Sequence, residues 1–156
     1  MPLIQDNDTL AFENSFGEIE YYEIEKNGGY EATDNRFDEY CDMFYNKLEN
    51  DSLFFGYFSV NIYTMGVNPK SVYESISIEH FSYYYFKSFN SMDEAKSYSQ
   101  NGYLYTDIYI RDSLNSKNND LHPIDDAIIT KVWYSLKYGI IRYTTKDGED
   151  FKLIRN

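Results

Sequence analysis

The residues of this 156-residue chain that could do chemistry are few, and they form no catalytic set. His80 lies in a stretch predicted as a strand, where a structural histidine is the simpler interpretation. His122 falls in a polar segment predicted as a solvated loop. Cys41, the single cysteine, excludes an internal disulfide framework and lies on the apolar stripe of a predicted helix, which favours an inert core thiol. No nucleophile with a matching base follows from these residues.

Metal and phosphate sites have equally little support. Residues 6–8, Asp-Asn-Asp, open like a calcium loop but lack its glycine and its closing glutamate. The Gly-Gly pair at 28–29 lacks the spacing and the lysine of a phosphate-binding loop. Asp147, Asp150 and Lys152 could supply the acids and the lysine of a small metal-dependent hydrolase, which stays open as an alternative. The leading prediction is a protein that is not an enzyme and has no cofactor and no metal site.

The distribution of charge is more informative than any motif. The formal net charge is −12, and residues 1–51 hold 14 Asp and Glu against three Lys and Arg. One third of the chain therefore carries nearly the whole imbalance. Such a field repels nucleic acid and membrane surfaces and attracts basic partners. We predict a basic protein as the partner, with no direct nucleic-acid binding and no membrane binding, and leave a homodimer open.

The stretch at 16–25, Phe-Gly-Glu-Ile-Glu-Tyr-Tyr-Glu-Ile-Glu, concentrates these acids on a predicted edge strand. Side chains two residues apart on a strand lie about 6.7 Å apart, which is close to the separation of neighbouring phosphates on a nucleic-acid strand. A predicted helix at 35–49 adds further acids and a tyrosine. The predicted partner-binding residues are Glu18, Glu20, Tyr21, Tyr22, Glu23, Glu25, Asp38, Glu39, Asp42, Tyr45 and Glu49.

A simpler explanation for the same acids is protection of an edge strand together with solubility. Against it, Asp38 and Asp42 would form a like-charge pair four residues apart on the predicted helix, which costs a few tenths of a kcal/mol. Glu49 would lie at the unfavourable end of that helix's dipole. The acids therefore add little to the stability of the predicted fold, which favours a functional surface.

The elements that would position these residues predict an α+β fold. It is a mostly antiparallel sheet of about six strands with two helices packed on one face. The whole of 1–156 is predicted as a single domain, with 1–15 a loosely ordered arm. The helices are predicted at 35–49, with the stripe Phe37, Tyr40, Cys41, Phe44 and Leu48 facing inward, and at 91–100. The strands are predicted at 16–25, 53–64, 74–88, 103–110, 128–136, 140–145 and 150–154, with a turn at 27–29.

A small, acidic, tyrosine-rich chain of this kind resembles the phage-encoded anti-defence inhibitors of the anti-CRISPR and anti-restriction types. The resemblance rests on its size, on the acidic stretches at 18–25 and 38–51, and on the capped helix predicted at 91–100. It implies a stoichiometric inhibitor of a basic nucleic-acid-handling protein, first of all a CRISPR-Cas effector nuclease, by partial DNA mimicry or by blocking a nuclease domain. An immunity protein against a toxin nuclease is the alternative. No leader or membrane-spanning run is visible in the sequence, so a cytoplasmic location, in the host cell if the chain is phage-encoded, is predicted.

Overall fold

The computed structural model describes residues 4–33, 36–49, 52–67, 71–80, 84–90, 96–112, 129–135 and 137–155. All regular elements of these residues are strands, so the predicted α+β class with two helices is wrong and the fold is all-β. The strands are β1 Thr9–Glu13, β2 Ile19–Thr33, β3 Arg36–Glu49, β4 Ser52–Val67, β5 Ser71–His80, β6 Tyr84–Asn90, β7 Lys96–Gln100, β8 Tyr103–Asp112, β9 Ile129–Ser135, β10 Gly139–Thr145 and β11 Asp150–Leu153.

The described strands form one antiparallel sheet in the order β6-β5-β4-β3-β2-β1-β11-β10-β9-β8-β7. Neighbours in the sheet are neighbours in the chain, except that the first strand pairs with the last. The two edge strands, β6 and β7, follow one another in the chain. Residues 9–13, predicted within a loose arm, are therefore a central strand, and Phe12 on it is only 1% exposed. The stretch at 16–25, predicted as an edge, lies between β1 and β3.

The first predicted helix, 35–49, is wrong in its described part, because residues 36–49 form β3, which pairs with β2 on one side and β4 on the other; residue 35 lies outside the described residues. Those two long partners satisfy the backbone N–H and C=O groups that a helix would satisfy internally. Met43 and Tyr45, two residues apart on the same side of the strand, are completely buried, whereas Leu48, predicted to face inward, is 37% exposed. The apolar spacing that resembles a helix is overridden by pairing.

The second predicted helix, 91–100, is also wrong in its described part. Residues 91–95 lie outside the described residues, and 96–100 form β7, which is paired with β8. Asn101 and Gly102, predicted to end the helix, instead form the turn of this hairpin with φ of 51° and 79°. The strand predicted at 74–88 is divided between β5 and β6.

The Gly-Gly pair at 28–29, predicted as a turn, lies inside β2. Gly29 is paired directly with Tyr40 on β3, and a Cβ atom at Gly29 would overlap the Tyr40 ring. An aromatic ring laid over a strand glycine supplies the packing that the glycine lacks. This cross-strand contact explains why the pair continues the strand.

The sheet is curved, so that one face, here called the inner face, packs against itself. Tyr45 on β3 accepts a hydrogen bond from the backbone N–H of Ile140 on β10 at 3.1 Å, although three strands separate β3 from β10 in the sheet. The hydroxyls of Tyr22 on β2 and Tyr143 on β10 lie 3.0 Å apart. The core is therefore rich in buried tyrosine. Within the described part of the chain, no helix has the length and hydropathy needed to cross a bilayer.

Candidate functional site: an acidic outer face on β2 and β3

The register of β2 and β3 separates their side chains into two sets. Tyr22 and Ile24 on β2 are buried, as are Met43 and Tyr45 on β3, so these positions belong to the inner face. The alternate positions are paired with one another across the two strands and form the outer face. Between residues 21 and 31 of β2, and between 38 and 48 of β3, the outer positions carry five carboxylates and no lysine or arginine. These residues, here called the acidic face, are Glu23, Glu25, Glu31, Asp38 and Asp42.

The two lysines of these strands point away from the acidic face. Lys26 donates a hydrogen bond from its ammonium group to the backbone carbonyl of Ile4. The Lys47 ammonium lies 2.7 Å from Glu20 Oε1 on the inner side. Both cations are thus held by other groups, and neither neutralises the acidic face.

The acidic face is arranged at some cost to the fold. Glu31 and Asp38 lie directly opposite one another on paired strands, an arrangement in which like charges destabilise a sheet. Partial burial raises the pKa of the Asp42 carboxyl above its ordinary value, since burial disfavours the charged form. Stability does not explain this placement.

Of the other predicted partner-binding residues, Glu20 faces the inner side. Its carboxylate accepts hydrogen bonds from the hydroxyls of Tyr22, at 2.9 Å, and Tyr143, and it pairs with Lys47. Tyr22 and Tyr45 are completely buried. These three residues therefore stabilise the core and do not present themselves to a partner.

Three further predicted residues lie off the acidic face. Glu18 precedes β2 and accepts a hydrogen bond from the Asn14 side chain at 2.7 Å. Glu39 and Glu49 are exposed, but they occupy the alternate positions of β3. The structure thus brings together Glu23, Glu25, Asp38 and Asp42 on one face, with Tyr21 beside them, and leaves the rest elsewhere.

The prediction missed four exposed residues of the same outer face. Glu31 follows the stretch predicted as a turn, and Tyr40 and Leu48 were assigned inward positions on a helix. Ile19 is the fourth, on the outer side of β2, and is 44% exposed. Reading 36–49 with a period of two would have placed Tyr40 and Leu48 beside Asp38 and Asp42.

Beyond β1 the outer face carries two bases, Arg142 and Lys152, which both pair with the carboxylate of Asp150. Lys152 on β11 is paired with Glu13, and Arg142 on β10 is paired with Lys152. The guanidinium of Arg142 lies 4.3 Å from the ring centroid of Trp133. This cationic, aromatic region borders the acidic one and marks where the latter ends.

The hydrolase alternative does not gain support from its residues. Asp150 and Lys152 line a small pocket of about 120 Å³ together with Glu13. However, Arg142 donates to both Asp150 carboxylate oxygens, at 2.6 and 2.9 Å, and Lys152 lies 3.4 Å from the same carboxylate. Among the residues that the structure describes, no group of three His, Cys, Asp or Glu side chains is placed to hold a metal ion.

The predicted nucleophile and bases can be placed only in part. Cys41 is half-buried, and desolvation raises the pKa of its thiol, which favours the unreactive protonated form. His80 ends β5, and His122 lies outside the described residues. No protein-family model, curated protein or solved structure matches this chain.

Proposed function

We propose that this protein is a stoichiometric inhibitor that places its acidic face in the cationic groove of a nucleic-acid-handling protein. The observation that carries the proposal is a set of five carboxylates, with no lysine or arginine among them, on the paired outer positions between residues 21 and 31 of β2 and between 38 and 48 of β3. Along β2, Glu23 and Glu25 are about 6.7 Å apart, a spacing similar to that of phosphates on one nucleic-acid strand, and Glu31 lies three outer positions further along.

The physical basis is electrostatic. A groove that binds nucleic acid is lined with Lys and Arg side chains, and a row of carboxylates satisfies the same side chains. Charge complementarity of this kind accelerates association and selects the partner. The cost of placing Glu31 opposite Asp38 is then the cost of keeping a binding surface.

The first candidate partner is a CRISPR-Cas effector nuclease, as the resemblance to anti-defence inhibitors implies. A toxin nuclease, with this chain as its immunity protein, presents the same chemistry. Either role puts the protein in the cytoplasm of the cell that contains the partner. Identification of the captured partner distinguishes the two.

The test compares the wild type with the triple variant Glu23→Lys, Glu25→Lys and Asp42→Lys. Each protein is immobilised and exposed at low salt to a bacterial lysate, and the captured protein is identified and purified. We expect DNA to compete with the wild type for this partner and the affinity to fall steadily with rising salt. The triple variant should associate at least ~10-fold more slowly, because it reverses the steering charge.

A matched control carries Glu39→Lys, Glu49→Lys and Asp147→Lys, exposed acids off the acidic face, so that its net charge equals that of the triple variant. The control should retain capture and DNA competition. Equal loss in both variants would reduce the effect to net charge and contradict the proposal. So would a captured protein that DNA does not displace.

A further inference from the structure

Three exposed apolar side chains lie together at one end of the acidic face. Tyr21 on β2 is paired directly with Leu48 on β3, and Ile19 lies two residues before Tyr21 on the same side of the strand. Tyr21, Ile19 and Leu48 are 46%, 44% and 37% exposed. Register and exposure together make one apolar patch on the outer face, here called the apolar anchor.

The surroundings of the apolar anchor are asymmetric. The next outer positions along β2 after Tyr21 are Glu23 and Glu25, at about 7 and 13 Å on a regular strand. Glu13, on β1, is paired with Ile19 at the other side of the patch. A molecule lying along β2 therefore meets apolar surface first and then carboxylates.

We infer that the partner contributes an extended segment in which an apolar side chain is followed by arginine or lysine at alternate positions. This inference rests on the proposed function and specifies the chemistry of the partner. An extended segment repeats its same-side residues every 6.7 Å or so, which matches the spacing of the outer positions on β2. The apolar side chain would contact Tyr21 and Leu48 while the cations meet Glu23 and Glu25.

The two parts of the surface have different physical roles. Exposed ion pairs contribute little to affinity, because water and salt screen them. Tyrosine and aliphatic side chains that become buried on binding contribute most of the affinity of an interface. The apolar anchor should therefore set how long the partner stays, and the acidic face how fast and in which orientation it arrives.

The test uses two fluorescein-labelled peptides, Leu-Ser-Arg-Ser-Arg-Ser-Arg and its analogue with serine in place of the leucine, with binding followed by fluorescence anisotropy. On the wild type, we expect the leucine peptide to bind about 10-fold more tightly than the serine peptide. On the double variant Tyr21→Ser and Leu48→Ser, this difference should vanish while salt-dependent binding of both peptides remains.

The matched control is Tyr30→Ser with Leu104→Ser, the same residue types at positions 65% and 69% exposed and outside the patch. It should keep the preference for leucine. If both peptides bind the wild type equally and with strong salt dependence, the apolar anchor is refuted and the proposed function stands. If neither peptide binds the wild type more tightly than the variant with lysine at positions 23, 25 and 42, the proposed function fails, and the inference fails with it.

Discussion

At the scale of single residues, the core is organised around tyrosine hydroxyls that need partners. Tyr22 and Tyr143 donate to the carboxylate of Glu20, and Tyr45 accepts from the backbone of Ile140. Tyr134 differs, because its buried hydroxyl has no hydrogen-bond partner among the residues that the structure describes. An unsatisfied buried polar group costs free energy that a satisfied one does not.

Removing the hydroxyl of Tyr134 and removing that of Tyr45 should therefore affect the free energy of unfolding differently. We expect Tyr134→Phe to leave the free energy of unfolding unchanged or to raise it by about 1 kcal/mol, since the orphaned hydroxyl is lost. Tyr45→Phe should lower it by about 1–3 kcal/mol, because the Ile140 N–H is left buried without this acceptor. Urea denaturation of both variants measures the difference. A greater loss for Tyr134→Phe than for Tyr45→Phe would contradict the assignment of hydrogen bonds.

At the scale of elements, β3 shows what the sequence can and cannot predict. Apolar residues at 37, 40, 41, 44 and 48 fit a helix, and acids at 38 and 42 lie one turn apart on it. The two acids also lie an even number of positions apart in the sequence, so a strand places them on one face as well. Their proximity could be predicted under either interpretation. The position of Glu39 distinguishes the two interpretations, because it lies beside Asp38 on a helix and on the opposite side from Asp38 on a strand.

The rest of the fold follows the same logic. The strands near 103–110, 140–145 and 150–154 were predictable from local sequence, because short runs rich in β-branched and aromatic residues are bounded by turn residues such as Asp147 and Gly148. The central position of β1 in the sheet was not predictable, because it depends on pairing with β11 at the far end of the chain. The inward position of Glu20 depends on Tyr143, 123 residues away. Local pattern carries no information about such partners.

Truncation of two side chains distinguishes the strand from the helix at β3. Met43 is completely buried in the strand but lies off the predicted helical stripe, whereas Leu48 lies on that stripe and is 37% exposed. We expect Met43→Ala to lower the free energy of unfolding by about 2–4 kcal/mol. Leu48→Ala should lower it by less than about 1 kcal/mol. The reverse order in urea denaturation would favour the helix.

At the scale of the whole molecule, the chain separates its charges on the surface. The acidic face occupies β2 and β3, and cations of the C-terminal part are held by aromatic rings. Arg142 lies over Trp133 at 4.3 Å, and the Arg155 guanidinium lies 4.3 and 4.2 Å from the ring centroids of Tyr103 and Tyr138. Aromatic rings thus hold both guanidinium groups on the C-terminal part of the chain, with Asp150 pairing with Arg142 as well.

The buried tyrosines give the whole molecule a predictable response to alkaline pH. Burial raises the pKa of Tyr45 and of Tyr134 above the ordinary value of 10.0, because the phenolate form is disfavoured in the core. A tyrosine in the unfolded chain ionises near pH 10, whereas the folded one stays neutral, so unfolding releases protons above that pH. Their contribution to stability is therefore complete below about pH 9 and is lost as the pH rises further.

We expect the free energy of unfolding to fall above pH 10 by up to about 1.4 kcal/mol per pH unit for each of these two tyrosines. Urea denaturation between pH 8 and 11 would measure this slope, and tyrosinate absorbance would report the ionisation. Tyr134→Phe should reduce the slope by up to half, because one of the two phenols whose pKa is raised by burial is then gone. A slope that is the same in this variant and the wild type would mean that the pKa of Tyr134 is the same in the folded and unfolded chain, and would contradict the increase attributed to its burial.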